Sequence, residues 1–137
     1  MSDDFPVTIF HNPDCGTSRN VLGIIKAAGY EPNVVLCLET GWSLFLLQDL
    51  LKDMGAKPRD TLREKGTPAA ELGLLDPGVS DGRILEAMLI HPILVNRPIV
   101  VTPKGTKLCR PSEVVASLLE HVPAQFTKED GEVVELR

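Results

Sequence analysis

The spacing of apolar residues predicts alternating strands and helices in the first third of the chain. Residues 7–10 form a short β-prone run that stops at a turn signal, and residues 33–38 read as a second strand buried on both faces. Between them, residues 21–28 place apolar side chains at helical spacing, and this helix stops at Gly29. A β-α-β unit of about 30 residues is the usual size for two parallel strands joined by a crossover helix.

The middle of the chain is predicted to be helical. Apolar residues recur at i, i+3, i+4 and i+7 over residues 47–54, and a shorter piece follows at residues 59–64. Ser80 and Asp81 can open a further helix, which ends near His91 and the proline that follows it.

Strands return in the last third. Residues 99–102 and 107–109 flank a Pro- and Gly-containing turn, which predicts a hairpin, and residues 111–122 have the pattern of an amphipathic helix. The polar tail from Phe126 predicts no element. The order is therefore β-α-β, a helical insertion at about residues 42–92, then β-β-α. It predicts one α/β domain over residues 1–137, with the small mixed four-stranded sheet and covering helices of a thioredoxin-like fold.

Composition and charge narrow the classes of function. The chain has 137 residues, is 43% hydrophobic and carries a net charge of -5, which suits one domain and argues against a nucleic-acid or anionic-membrane binder. Its longest apolar run is five residues (34–38), too short to span a membrane. The acidic start at residues 1–4 is unlike a secretory signal, and three scattered cysteines form no disulfide framework. A cytoplasmic protein is expected.

Cys15 is the first candidate for chemistry. It follows a predicted strand and precedes a predicted helix, where unbonded backbone N–H groups and the helix dipole should acidify a thiol. The alternative is a buried, inert cysteine. A C-x-x-C dithiol is excluded because the second position is Ser18, and a phosphatase-type loop is excluded because Val21 stands where arginine is needed. The pattern indicates a single nucleophile.

Three residues near Cys15 are candidates to assist it. His11 could stabilise the thiolate or move a proton, or it could be a turn histidine that only satisfies backbone groups. Asn12 and Ser18 are expected to shape the substrate site by orienting the loop, with helix capping the plainer role for Ser18.

Three arginines are candidates for binding an anion. Arg97 precedes Pro98 at the mouth of a strand, Arg110 precedes Pro111 at a strand-to-helix junction, and Arg63 closes the short helical piece. Guanidinium groups that converge on Cys15 would suit a tetrahedral oxyanion. The alternative for each is a surface ion pair, and spacing alone does not decide between the two.

The remaining cysteines and histidines suggest no further site. Cys37 and Cys109 are expected in the core, although either could resolve a mixed disulfide if it moved close. His91 and His121 do not have metal-ligand spacing with the cysteines, so no metal is expected.

Several segments together resemble the glutaredoxin-dependent arsenate reductases, the ArsC family. They are residues 11–20 (HNPDCGTSRN), 91–99 (HPILVNRPI), 108–113 (LCRPSE), and 53–55 followed by Arg63. The resemblance extends from about residue 8 to residue 131. Related families share the cysteine loop, so the combination carries the specificity.

The resemblance implies a function and a set of roles. Cys15 would form a thioarsenate adduct, His11 would assist the thiolate, and Arg63, Arg97 and Arg110 would bind the oxyanion. The proline at the position of Pro98 would be cis. No cofactor would be bound, glutathione would be the reducing co-substrate, and glutaredoxin would be the protein partner.

Two other functions fit the same fold. A Spx-like regulator that binds RNA polymerase would use its cysteine as a sensor, but such proteins typically carry the C-x-x-C pair that Ser18 excludes. A glutathione-dependent thiol reductase would use the arginines to bind glutathione carboxylates.

The sequence departs from the ArsC family in two places. The segment at residues 40–45 lacks the proline-rich, charged helix start common in the family, and the tail after Gly131 is short.

Overall fold

The computed structural model describes residues 5–137, which form two compact units. The first unit comprises residues 5–36 and Arg97–Arg137, and the second comprises Cys37–Asn96. The expectation drawn from the acidic residues 1–4 lies outside the described residues.

The first unit contains the sheet. Its elements are β1 (Thr8–His11), α1 (Gly16–Ala27), β2 (Asn33–Leu36), β3 (Ile99–Thr102), β4 (Gly105–Leu108), a 3₁₀ helix (Ser112–Leu118), β5 (Gln125–Thr127) and β6 (Val133–Glu135). The strand order is β2-β1-β3-β4, with β1 parallel to β2 and the other two pairings antiparallel. The predicted mixed four-stranded sheet is therefore confirmed.

The core of this unit lies between the sheet and α1. Val21, Ile24 and Ile25 are fully buried because their spacing puts them on one face of the helix. They cluster with residues of the central strands, Ile9 and Val100, which are directly paired in the sheet. This packing fixes the start of α1 beside the end of β1.

The second unit is the helical insertion. It contains α2 (Cys37–Thr40), α3 (Leu44–Met54), a 3₁₀ helix (Pro58–Thr61), α4 (Asp81–Ile90) and a 3₁₀ helix (Pro92–Leu94). The Ser43 hydroxyl accepts the Leu46 N–H at the start of α3, and Gly55 ends it in the left-handed region (φ 65°). Ser80 caps α4 as predicted.

Two predicted elements differ from the structure. The second strand ends at Leu36, and its exposed or half-buried residues lie at an edge of the sheet, so the expectation of burial on both faces is wrong. Cys37 is buried as expected, but it begins α2. The amphipathic helix predicted at residues 111–122 is instead a 3₁₀ helix over Ser112–Leu118, in which Ser112, Val115 and Leu118 are buried.

The tail, for which no element was predicted, forms a hairpin against α1. Strands β5 and β6 pair with Phe126 opposite Val134. The ring of Phe126 approaches α1 so closely that a Cβ atom on Gly23 would stand 2.9 Å from its Cζ atom. A glycine within the helix thus leaves room for the hairpin.

This contact predicts a coupled effect of two substitutions on stability. Alanine is favoured over glycine inside a helix by about 1 kcal/mol, but Gly23→Ala should gain less than this because the new methyl group displaces Phe126. In a Phe126→Ala background, Gly23→Ala should give the full gain in the free energy of unfolding. Urea denaturation of the four proteins measures both effects, and equal gains in the two backgrounds would contradict the contact.

Candidate active site

Cys15 stands immediately before the first residue of α1. Its backbone is extended (φ -100°, ψ 120°), its side chain is half-buried, and the first turn of the helix contains no acidic residue. The predicted strand-to-helix placement of the thiol is therefore confirmed. At this place the positive end of the helix dipole acts directly on the sulfur.

Two donors reach the Cys15 sulfur. One is the backbone N–H of Ser18, in the first turn of α1. The other is Arg110, whose Nη1 atom lies 3.7 Å from Sγ. The same Nη1 atom donates to the carbonyl oxygen of Arg97 at 2.9 Å, which holds the guanidinium beside the sulfur. A residue 95 positions away along the chain thus completes the site.

Opposing effects set the pKa of the Cys15 thiol. Burial raises it, and this is the largest single effect, but the hydrogen bonds from the Ser18 N–H and Arg110 and the charges of Arg110 and Arg97 together outweigh it. The pKa of Cys15 lies below its ordinary value. The thiolate, which is the nucleophilic form, is therefore favoured.

His11, Asn12 and Ser18 form one hydrogen-bonded group. Nδ1 of His11 lies 2.6 Å from the Ser18 hydroxyl oxygen, and this oxygen also accepts the backbone N–H of Asn12 at 3.1 Å. Ser18 lies within α1, so its hydroxyl does not cap the helix, and the expectation of helix capping is wrong. Through these two hydrogen bonds, the Ser18 hydroxyl connects the end of β1 and the start of the cysteine loop to the first turn of α1.

The side chain of Asn12 closes the turn that carries the cysteine. Its Oδ1 atom accepts the Asp14 N–H, and its backbone carbonyl accepts the Cys15 N–H, both at 3.0 Å. These bonds orient the loop that carries Cys15.

His11 acts as a neutral group. Its pKa lies below the ordinary value, first because the ring is buried and then because Arg19 and Lys26 add positive charge nearby. A neutral imidazole adds no positive charge to stabilise the thiolate. Its bond to Ser18 indicates that it positions the residue whose N–H reaches the sulfur.

The three candidate arginines have different surroundings. Arg97 is 4% exposed and Arg110 is half-buried, so neither is an exposed ion pair at the surface, and both act on Cys15. Arg63 belongs to the second unit, where it donates to Oδ1 of Asn96 at 3.2 Å and to the carbonyl of Lys65 at 3.1 Å. Its part in anion binding stays a prediction from the resemblance.

The Arg97–Pro98 peptide bond is cis, as the resemblance implies. The sequence reasoning missed that the Arg110–Pro111 bond is cis as well. The backbone carbonyl of Arg97 was also missed as a partner of Arg110. No signal in the sequence could identify it, because every residue type carries that group.

The other two cysteines are not suited to nucleophilic chemistry. Cys109 is fully buried, and burial raises the pKa of its thiol to about 12. Cys37 is 1% exposed.

Over residues 5–137, no three His, Cys, Asp or Glu side chains are grouped as metal ligands would be. Within the same range, every helix is too short or too polar to span a membrane.

Comparisons with known proteins agree on one family. The sequence profile described as the ArsC family matches residues 10–118. An arsenate reductase of Synechocystis is 56% identical over 129 residues, which are 93% of this chain and 92% of that protein. One from Escherichia coli is 55% identical with the same coverage. The solved arsenate reductase from Vibrio cholerae superposes with a TM-score of 0.80 at 36% identity, covering 85% of this chain and all of the other.

The balance at the sulfur predicts how alkylation of Cys15 depends on pH. The rate with iodoacetamide should reach half its maximum below the ordinary thiol pKa, because thiolate is the reacting form. Arg110→Gln should move this midpoint upward by removing a hydrogen bond and a positive charge. Arg137→Gln, which alters an arginine bonded to the Val122 carbonyl, is the control and should leave the midpoint in place. An unchanged midpoint in Arg110→Gln would contradict the assignment.

Proposed function

The chain belongs to the ArsC family, and we propose that it reduces arsenate to arsenite with Cys15 as the nucleophile. The observation that carries this proposal is the position of the Cys15 sulfur, at the start of α1 between the Ser18 N–H and the Arg110 guanidinium. A soft nucleophile and hydrogen-bond donors for an oxyanion are thereby next to one another.

Arg110 and Arg97 are proposed to bind the arsenate oxygens. Arg110 already donates to the sulfur, and the charge of the buried Arg97 acts on the same atom. The planar guanidinium binds a tetrahedral oxyanion through paired N–H groups and stays charged at any physiological pH. Two such groups would offset the repulsion between an anionic substrate and the thiolate that attacks it.

The covalent step forms a bond between sulfur and arsenic. The Cys15 thiolate attacks arsenic(V), and one arsenate oxygen leaves as water after taking up protons. The helix N–H of Ser18 and the Arg110 guanidinium hold the sulfur during the attack. His11 acts in this scheme through Ser18, since its Nδ1 atom is bonded to the Ser18 hydroxyl.

The two electrons for arsenic are proposed to come from Cys15 and a glutathione thiol. Arsenate and two thiols give arsenite, one disulfide and one water, so Cys15 ends as a mixed disulfide with glutathione. Glutaredoxin would then return it to the thiol. An external thiol fits this chain because Ser18 replaces a second cysteine in the loop, while Cys37 and Cys109 are buried.

Replacement of the cysteines tests both the nucleophile and the source of the second thiol. Cys15→Ser should lower arsenate-dependent NADPH consumption, measured with glutathione, glutaredoxin and glutathione reductase, to the rate without enzyme. Cys37→Ala and Cys109→Ala should keep most of the turnover, because these buried thiols take no part in the scheme. Turnover in Cys15→Ser would exclude the nucleophile, and loss in either buried variant would exclude a purely external thiol.

Arg97→Lys separates the geometry of the anion site from its charge. Lysine keeps the positive charge but lacks the planar pair of donors, so kcat/KM for arsenate should fall about tenfold or more. Arg83→Lys is the matched control, because Arg83 is exposed on α4, and it should have the wild-type rate. Equal rates for the two variants would remove Arg97 from the substrate site.

A further inference from the structure

The C-terminal hairpin is fastened to the face of α1 that follows the nucleophile. Besides the contact of Phe126 with Gly23, the backbone N–H of Glu129 donates to Oδ1 of Asn20 at 3.0 Å. Lys128 forms an ion pair with Glu113, with 2.9 Å between Nζ and Oε1. Hydrogen bonds in the turn between β5 and β6, such as Lys128 N–H to Glu132 carbonyl at 2.7 Å, hold Glu129 at its tip.

Glu129 binds Arg19 through both carboxylate oxygens. Nε of Arg19 donates to Oε2 at 2.9 Å, and Nη2 donates to Oε1 at 2.7 Å. Two parallel hydrogen bonds fix the plane of a guanidinium, which a single bond does not. The remaining nitrogen, Nη1, then points at the carbonyl oxygen of Pro13 and donates to it at 2.6 Å.

The bond to Pro13 acts on the loop that presents the nucleophile. Pro13 lies two residues before Cys15 and Arg19 lies four residues after it, so the Arg19 side chain closes a ring around the cysteine. The backbone N–H of Arg19 also donates to the Cys15 carbonyl at 3.0 Å. The position of the Pro13 carbonyl therefore depends on a carboxylate 110 residues from Arg19.

The ion pair between Glu129 and Arg19 acts through geometry. Both side chains are about half exposed, so the pair adds little to the stability of the fold. What Glu129 fixes is the direction in which Arg19 donates to the Pro13 carbonyl.

We propose that Glu129 is a positioning residue for arsenate reduction, acting through Arg19 and the Pro13 carbonyl on the loop that holds Cys15. Its role rests on the proposed function, in which Cys15 attacks arsenate. The C-terminal hairpin thus contributes to the active site by holding the loop that carries Cys15.

The test compares two identical substitutions on the same hairpin. Glu129→Gln weakens the paired bonds to Arg19, whereas Glu132→Gln weakens only an exposed ion pair with Lys128 (3.3 Å). In Glu129→Gln, kcat for arsenate should fall about tenfold with little change in KM, because the loop is misplaced in the reacting complex. The rate of hydrogen exchange at the Cys15 backbone amide, measured by NMR, should rise several-fold. Glu132→Gln should match the wild type in both measurements.

The effect of Glu129→Gln in an Arg19→Ala variant shows whether Glu129 acts through Arg19. Once Arg19→Ala has removed the guanidinium, adding Glu129→Gln should change neither kcat nor the exchange rate further. A wild-type kcat in Glu129→Gln, equal losses in the two hairpin variants, or a full additional loss in the Arg19→Ala background would each overturn the role. If the wild-type protein itself reduced no arsenate, the proposed function would fail, and the exchange rates alone would decide whether Glu129 holds the loop.

Discussion

The chemistry proposed for this protein depends on holding the Cys15 thiolate at the start of a helix inside a partly buried site. Burial by itself opposes the charged form of Cys15, and two donors reverse its effect. One donor, the Ser18 N–H, belongs to the helix that the cysteine precedes. The other, Arg110, follows the last strand of the sheet. The packing of α1 against the sheet is what keeps both donors on one sulfur atom.

The same balance explains the burial of Arg97. A guanidinium that is 4% exposed is costly to remove from water unless negative charge lies nearby. The Cys15 thiolate supplies one negative charge, and arsenate would supply more. Arg97 also holds Arg110 in place through its backbone carbonyl. A site with this much positive charge next to one thiolate is suited to an oxyanion.

Selection between arsenate and phosphate cannot come from the arginines, because the two anions are close in shape and charge. It follows from the step after binding, since arsenic accepts a thiolate and two electrons where phosphorus does not. The protein therefore needs a loose anion site and a well-placed soft nucleophile. The bonds that fix the Cys15 loop come from Asn12 within the loop and from Ser18 and Arg19 in α1, and they serve the second requirement.

The sequence by itself determined the local features of the fold and marked Cys15 as the candidate nucleophile. The apolar spacing of α1, the serine caps of α3 and α4, and the turn between β3 and β4 follow from neighbouring residues, so each could be predicted. Only the tertiary structure decided which strand lies at the edge of the sheet, where the tail docks, and that Arg110 reaches Cys15. These contacts join residues about 100 positions apart, and spacing along a chain carries no information about pairs that only the packing of the core brings together.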